Sequence, residues 1–307
     1  MTHLTSEEIS NRIPHRFENL LLDSCEVTEP DKSSFAINLD VNDELGRDLF
    51  IYDHLNSASI PTPLLTEISA LACIVSAGQI EPGTFAYFAA IANFTLTGGP
   101  IKAGKAIVGQ TEKISGKNGF YKYRFSITSD NQTAAGQLMA YYDTSGNSET
   151  VLQPIDLPDA VHDALSNGVS IASFQNKKHH MSFVQTVHLH TENEALYGYK
   201  YPVSHPLIKG HFPNNPVMMG VCQWQMLEDA MACYFSEYKD EKKLTRRMNA
   251  VIFKSNLTPV CEIKNAEIVG EKLGDQWHTY TSTIKKVLFK QRVSPNDQLF
   301  IFITAIN

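Results

Sequence analysis

Two stretches of the chain repeat apolar residues at helical intervals. Over 64–75, Leu64, Ile68, Leu71, Ala72 and Val75 fall at i, i+4, i+7, i+8 and i+11, which predicts an amphipathic or buried helix. Over 220–236, Val221, Trp224, Leu227, Met231 and Phe235 keep a similar rhythm. Each stretch is followed by alternating, aromatic-rich segments. Phe120-Tyr-Lys-Tyr-Arg-Phe-Ser-Ile-Thr128 and Gln137-Leu-Met-Ala-Tyr-Tyr142 follow the first; Trp277-His-Thr-Tyr-Thr-Ser-Thr-Ile284 and Leu299-Phe-Ile-Phe-Ile-Thr304 follow the second. These predict antiparallel strands. Residues 145–175 carry Ser, Gly, Asn, Pro and Asp without strand rhythm and read as a linker, with a short helical piece over Pro158–Leu165. The expectation is an α+β chain of two units, 1–144 and 176–307, each a helix embedded in sheet.

Length agrees with that division, since 307 residues exceed one domain and suit two of ordinary size. A content of 43% hydrophobic and 19% charged residues describes a globular chain with enough apolar material for a core. The formal charge of −7 argues against a nucleic-acid partner. Lys242, Lys243, Arg246 and Arg247 form the nearest thing to a basic patch, and a solvated helix end explains them equally well. Five scattered cysteines without a CxxC pair predict reduced thiols and a cytoplasmic location. Cys222 among them reads as a small core residue. No signal-peptide pattern and no apolar run of about 20 residues is visible, so no membrane span is expected.

The chemistry concentrates in Ser204-His-Pro-Leu-Ile-Lys-Gly-His-Phe-Pro-Asn-Asn-Pro-Val-Met-Met-Gly-Val221, a histidine between proline-constrained turns ahead of a glycine that opens the second helix. This run resembles the active-site loop of the β-hydroxyacyl-acyl-carrier-protein dehydratases, a family of hotdog fold. In that family His-Phe-Pro-x-x-Pro-Val-Met-Pro-Gly-Val precedes a central helix bearing a catalytic carboxylate, and here Gln225 holds the carboxylate position. A worn copy, Asp53-His-Leu-Asn-Ser-Ala-Ser-Ile-Pro-Thr-Pro-Leu-Leu-Thr-Glu-Ile-Ser-Ala-Leu-Ala72, places Glu67 where the carboxylate belongs and His54 where the histidine belongs, in a loop one residue shorter. Pro14-His-Arg-Phe-Glu-Asn-Leu-Leu-Leu-Asp23 resembles the family's opening motif. Phe88–Gly104 resembles the strand after the helix, with Met248–Val260 as a weaker counterpart. The resemblance covers most of the chain outside 145–175 and implies a double hotdog, a fused pseudo-dimer.

In dimers of that family each active site takes its histidine from one subunit and its carboxylate from the helix of the other. The resemblance therefore implies two composite sites, His211 with Glu67 and His54 with Gln225, of which only the first holds both ionisable groups. It assigns His211 and Glu67 as catalytic, with Gly220, Gln225, His54 and Leu64 lining the substrate. The implied reaction removes water from a (3R)-hydroxyacyl thioester. A neutral imidazole takes the α-proton, and a carboxyl kept protonated by apolar surroundings protonates the leaving hydroxyl. Glu67 lies among Leu64, Ile68 and Leu71, which favours that state. Backbone amides at Gly220 or near Leu64 would stabilise the thioester oxygen. Glutamine cannot release a proton, so the His54–Gln225 site is discounted. Glu228, one turn beyond Gln225, reads as a solvated or salt-bridged face.

No metal and no cofactor is expected. His179, His180, His188 and His190 lack supporting ligands and read as surface residues. The implied partners are an acyl thioester substrate and an acyl carrier protein, in fatty-acid-like or polyketide biosynthesis, with the chain a monomeric pseudo-dimer or a homo-oligomer. Glu rather than Asp at 67 makes a double-bond isomerisation less expected. Alternatives on the same scaffold are a thioesterase, an acyltransferase/decarboxylase, or a non-catalytic acyl-carrier binding module.

Overall fold

In a computed structural model of the full chain, all residues are described except 55–56, 79–84, 144–151, 214 and 307. The first half contains β1 (Thr2–Thr5), α1 (Ser6–Ser10), β2 (Ser24–Glu29), β3 (Lys32–Asn38), β4 (Tyr52–His54), β5 (Ser57–Ser59), α2 (Thr62–Ser76), β6 (Phe85–Thr97), β7 (Ala106–Lys117), β8 (Phe120–Ser129) and β9 (Gln132–Asp143). The second contains α3 (Asp159–Ala164), β10 (Val169–Ser170), β11 (Thr186–His190), β12 (Glu194–Lys200), α4 (Gly220–Phe235), β13 (Lys243–Lys254), β14 (Pro259–Leu273), β15 (Gln276–Phe289) and β16 (Gln298–Ala305).

Proline sets the start of α2. Pro61 precedes it in an extended conformation and Pro63 occupies its first turn, where a missing N–H costs nothing. Every residue of α2 is buried, as a helix apolar on all faces must be. Hydroxyls within it turn back onto the helix, among them Thr66, which donates to the Pro63 carbonyl at 2.7 Å, and Ser69, which donates to Leu65 at 3.0 Å. Glu67 has no such escape. The second central helix, α4, is buried over all but Gly220 and Cys233.

Fourteen strands form one antiparallel sheet in the order β1-β2-β3-β7-β8-β9-β6-β15-β14-β13-β16-β12-β11-β10. It wraps α2 in the first half and α4 in the second, and the two helices touch. This is the double-hotdog arrangement expected from the sequence. The halves join where β6 pairs with β15, Thr95 opposite Thr283 and Ala90 opposite Leu288. Phe94 of β6 meets Trp224 of α4 edge-on at 5.1 Å, so one core runs through both halves.

The halves differ in strand order, which the repeated motifs did not predict. In each, the first strand after the helix pairs with the fourth, β6 with β9 and β13 with β16. The ring of four opens at different places. In the first half β6 is free of β7 and lies at the seam; in the second, β15 is free of β16 and takes that place. Met248–Val260 therefore lies inside the sheet, while its counterpart in β6 forms the junction.

Part of the stretch read as a linker carries structure. Val161 and Ala164 of α3 pack on Leu196, Phe253, Phe300 and Phe302, covering the outer face of the sheet in the second half. With both faces covered, β16 is buried at five successive positions, Leu299 to Ile303. The exposed face of β8 alternates instead. The basic residues at 242–247 are a correction, for they open β13 and not a helix end. There Lys243 and Arg247 pair with Glu271 and Glu267 of β14 at 2.7 and 3.3 Å, and Arg246 lies over the Tyr238 ring. No helix among the described residues is long and apolar enough to cross a membrane.

Candidate active site

The loop bearing His211 crosses the opening motif of the other half. A glycine makes the crossing possible. A Cβ on Gly210 would stand 2.1 Å from the Arg16 carbonyl oxygen and 2.2 Å from Asn19 Nδ2. Arg16 N–H donates to the Gly210 carbonyl at 3.1 Å, and the Asn19 amide donates to Leu207. This contact carries His15 to His211, with ring centroids 5.1 Å apart.

His211 is fixed by its own loop. Its Nδ1–H donates to the Val217 carbonyl at 3.0 Å, while Val217 N–H returns a bond to the His211 carbonyl at 3.0 Å. That bond selects the tautomer and leaves Nε2 with its lone pair. Phe212 stacks on the ring at 4.1 Å, and Met218 N–H anchors the loop to Val293 in the same half.

Glu67 arrives from the first half. One donor atom each of His15, Glu67 and His211 lies within 4.8 Å of the other two, and all three residues are buried. The structure thus brings His211 and Glu67 together from opposite halves of the chain. His15 Nε2 stands 3.7 Å from Glu67 Oε1. Burial alone pushes the Glu67 carboxyl up to about 7. Burial also pushes His211 down to about 4, against the opposing pull of its bond to Val217. A desolvated imidazole resists its charge. The result is a neutral imidazole facing a carboxyl that ionises only near neutral pH.

The remaining expected residues separate. Leu64 is buried on α2, and its amide is spent on the Pro61 carbonyl at 3.1 Å. Gly220 opens α4, where the first amides have no partner within the helix. Its Cα packs so closely on Phe289 that a Cβ would stand 3.2 Å from the ring. Of the two amides, that of Leu64 is already bonded within its own turn. His54 lies in the β4–β5 hairpin, its backbone opposite Ser57; its side chain, with Asn56 and Asn214, is outside the described residues.

Gln225 serves a different cluster. Its amide donates to Asp229 Oδ1 at 3.2 Å. Asp229 also accepts from Phe183 N–H at 2.7 Å and pairs with Lys177 Nζ. Glu228 is a second correction. It is fully buried, accepts from Thr281 N–H and Oγ1–H at 2.9 and 2.8 Å, and is pushed up to about 7 by burial. Where the second composite site would stand, the chain has built an ion pair and a buried carboxyl. His179 and His180 are exposed; His188 bonds Thr186 and Ala164, and His190 stacks on Tyr234 at 5.0 Å. All five cysteines are free, with Cys222 buried and its thiol pushed up by desolvation.

His15 was present in the opening motif but carried no assignment from the sequence. Its place in the motif was the only available signal, since the site it joins is built from residues far apart in the chain.

Residues 187–266 match the family described as ApeI-like, ApeI dehydratase. In this stretch the chain is similar to the hotdog dehydratases. The match contains the His211 loop, α4 and Gln225. Among curated protein sequences none matches at a significant level. Several solved dehydratases show a distant likeness. The dehydratase domain from the CurK module of curacin polyketide synthase is 12% identical, with 97% of this chain and 99% of that chain covered and a TM-score of 0.42. The RzxB dehydratase domain of Pseudomonas fluorescens is 9% identical, covering 94% and 99%, with a TM-score of 0.45. The dehydratase heterocomplex ApeI:P of Xenorhabdus doucetiae is 12% identical, covering 45% and 91%, with a TM-score of 0.38.

Proposed function

We propose that the chain dehydrates (3R)-hydroxyacyl thioesters to trans-2-enoyl thioesters at one composite site, with an acyl carrier protein as the donor of substrate, in fatty-acid-like or polyketide biosynthesis. The observation that carries this reading is the meeting of His211 and Glu67, a base and an acid each held neutral by burial, from opposite halves of the chain. His211 Nε2 takes the α-proton. Negative charge builds on the thioester oxygen, where the Gly220 amide at the start of α4 is the available donor. Glu67 gives its proton to the departing hydroxyl, which leaves as water. The apolar surroundings that raise the Glu67 carboxyl also exclude competing water.

Turnover of a 3-hydroxyacyl thioester tests this, followed by enoyl absorbance and by free-thiol release in parallel. Enoyl product without thiol is expected. Thiol release in place of enoyl product would make the chain a thioesterase, and binding with neither would make it a carrier-binding module.

The pH dependence follows from the two perturbed groups. Dehydration needs His211 unprotonated and Glu67 protonated, so kcat/KM should rise through pH of about 4, stay level, and fall as pH climbs through about 7. A profile still rising above pH 7 would remove Glu67 from the role of acid.

A further inference from the structure

The dehydration just described leaves the site in the wrong protonation state. His211 ends with the α-proton, as an imidazolium, and Glu67 ends as a carboxylate because its proton has left in the water. One proton must pass from His211 to Glu67 before a second substrate can react. Both groups are buried, which makes exchange with bulk solvent an indirect route.

From the position of His15 beside both we infer that its imidazole is the relay that returns this proton. Its Nε2 lies 3.7 Å from Glu67 Oε1, and its ring centroid lies 5.1 Å from that of His211. The residue is 3% exposed, and neither ring nitrogen has a hydrogen-bond partner among the described residues. An unbonded imidazole in the interior gives up hydrogen bonds worth having, and its edge-on contact with Phe212 at 4.9 Å holds it there. The bonds of the step balance. The His211 Nε2–H bond breaks as an N–H bond forms on His15 Nε2; that bond then breaks as an O–H bond forms on Glu67. His211 is again a neutral base, Glu67 a neutral acid, and His15 is unchanged.

The electrostatics give the transfer its direction. Burial is the largest influence holding His15 neutral at rest, followed by His211 and by Arg16. The Arg16 guanidinium is tied to the Ile13 and His15 carbonyls at 2.7 Å. A proton placed on His15 is therefore unstable and passes on to the carboxylate. The gaps exceed a hydrogen bond, and catalytic contacts commonly tighten only in the Michaelis complex.

The inference rests on the proposed dehydration, and its test separates the two. Single-turnover dehydration, with enzyme in excess, is compared with steady-state turnover for the wild type and for His15→Gln, which keeps a polar side chain without basicity. In the variant the first turnover should stay within about threefold of wild type, while steady-state turnover falls by about 10²-fold or more, the scale of a lost proton-transfer group. Enoyl product should then appear as a burst of one per site. Added imidazole should restore steady-state turnover in His15→Ala. If single-turnover and steady-state rates fall together, or neither falls, the relay is wrong. His15→Asn supports the same comparison if His15→Gln does not fold. Failure of the wild type to form enoyl product overturns the dehydration itself, a result independent of either variant.

Discussion

His211→Ala should abolish dehydration, and Glu67→Gln should lower kcat/KM by at least about 10²–10⁴-fold. The second change is nearly isosteric and removes only the proton. The losses should not add in the double variant, because both groups act on one transition state. His54→Ala and Gln225→Ala should leave the rate close to wild type. Gln225 is committed to Asp229, and its replacement by Glu would set a third carboxyl beside Asp229 and Glu228. Little gain is expected from restoring that carboxylate. The assignment fails if His54→Ala proves as damaging as His211→Ala with both proteins folded.

The largest stability effect is expected at Asp229. Its side chain is 1% exposed and that of Lys177 10% exposed, and the pair ties the start of the second unit to α4. Asp229→Ala leaves the Lys177 ammonium, the Phe183 N–H and the Gln225 amide without their shared acceptor. Removing one partner of a buried pair costs about 3–5 kcal/mol, to be read from the urea midpoint at constant m-value. Replacing both residues together, Lys177→Met with Asp229→Leu, should recover the part of the loss due to the uncompensated ammonium, with the Phe183 N–H and the Gln225 amide still lacking their acceptor. Equal midpoints for Asp229→Ala and wild type would show that the pair holds nothing in place.

Helix rhythm and loop motif made much of the fold and site legible. The two central helices follow from apolar spacing, because burial on every side leaves few other sequences possible. His211 follows from a long motif whose glycines and prolines dictate one loop. Glu67 was legible only through the fused-dimer argument, since its partner lies 144 positions away in sequence. Strand order was not legible. Alternation shows that a segment is a strand but not which neighbour it pairs with, and the two halves make that choice differently after identical beginnings. Glu228 was misread because spacing along a helix cannot tell solvent from a second packed layer. Thr281, which satisfies its carboxyl, comes from β15, far down the chain. The same limit hid the Lys177–Asp229 pair and the place of His15.

The seam between β6 and β15 also bears on the order of events in folding. Thr95 and Thr283, paired there, are separated by 188 positions, among the most distant contacts this sheet makes. Hairpins such as β7–β8 and β14–β15 close over a few residues and are entropically cheap, whereas the seam must gather nearly two-thirds of the chain. His15 and Glu67 belong to one side of that closure and His211 to the other. Each side of the seam carries only part of the His15–Glu67–His211 cluster. The cluster proposed to do the chemistry is thus assembled only when the seam closes, among the slowest contacts to form.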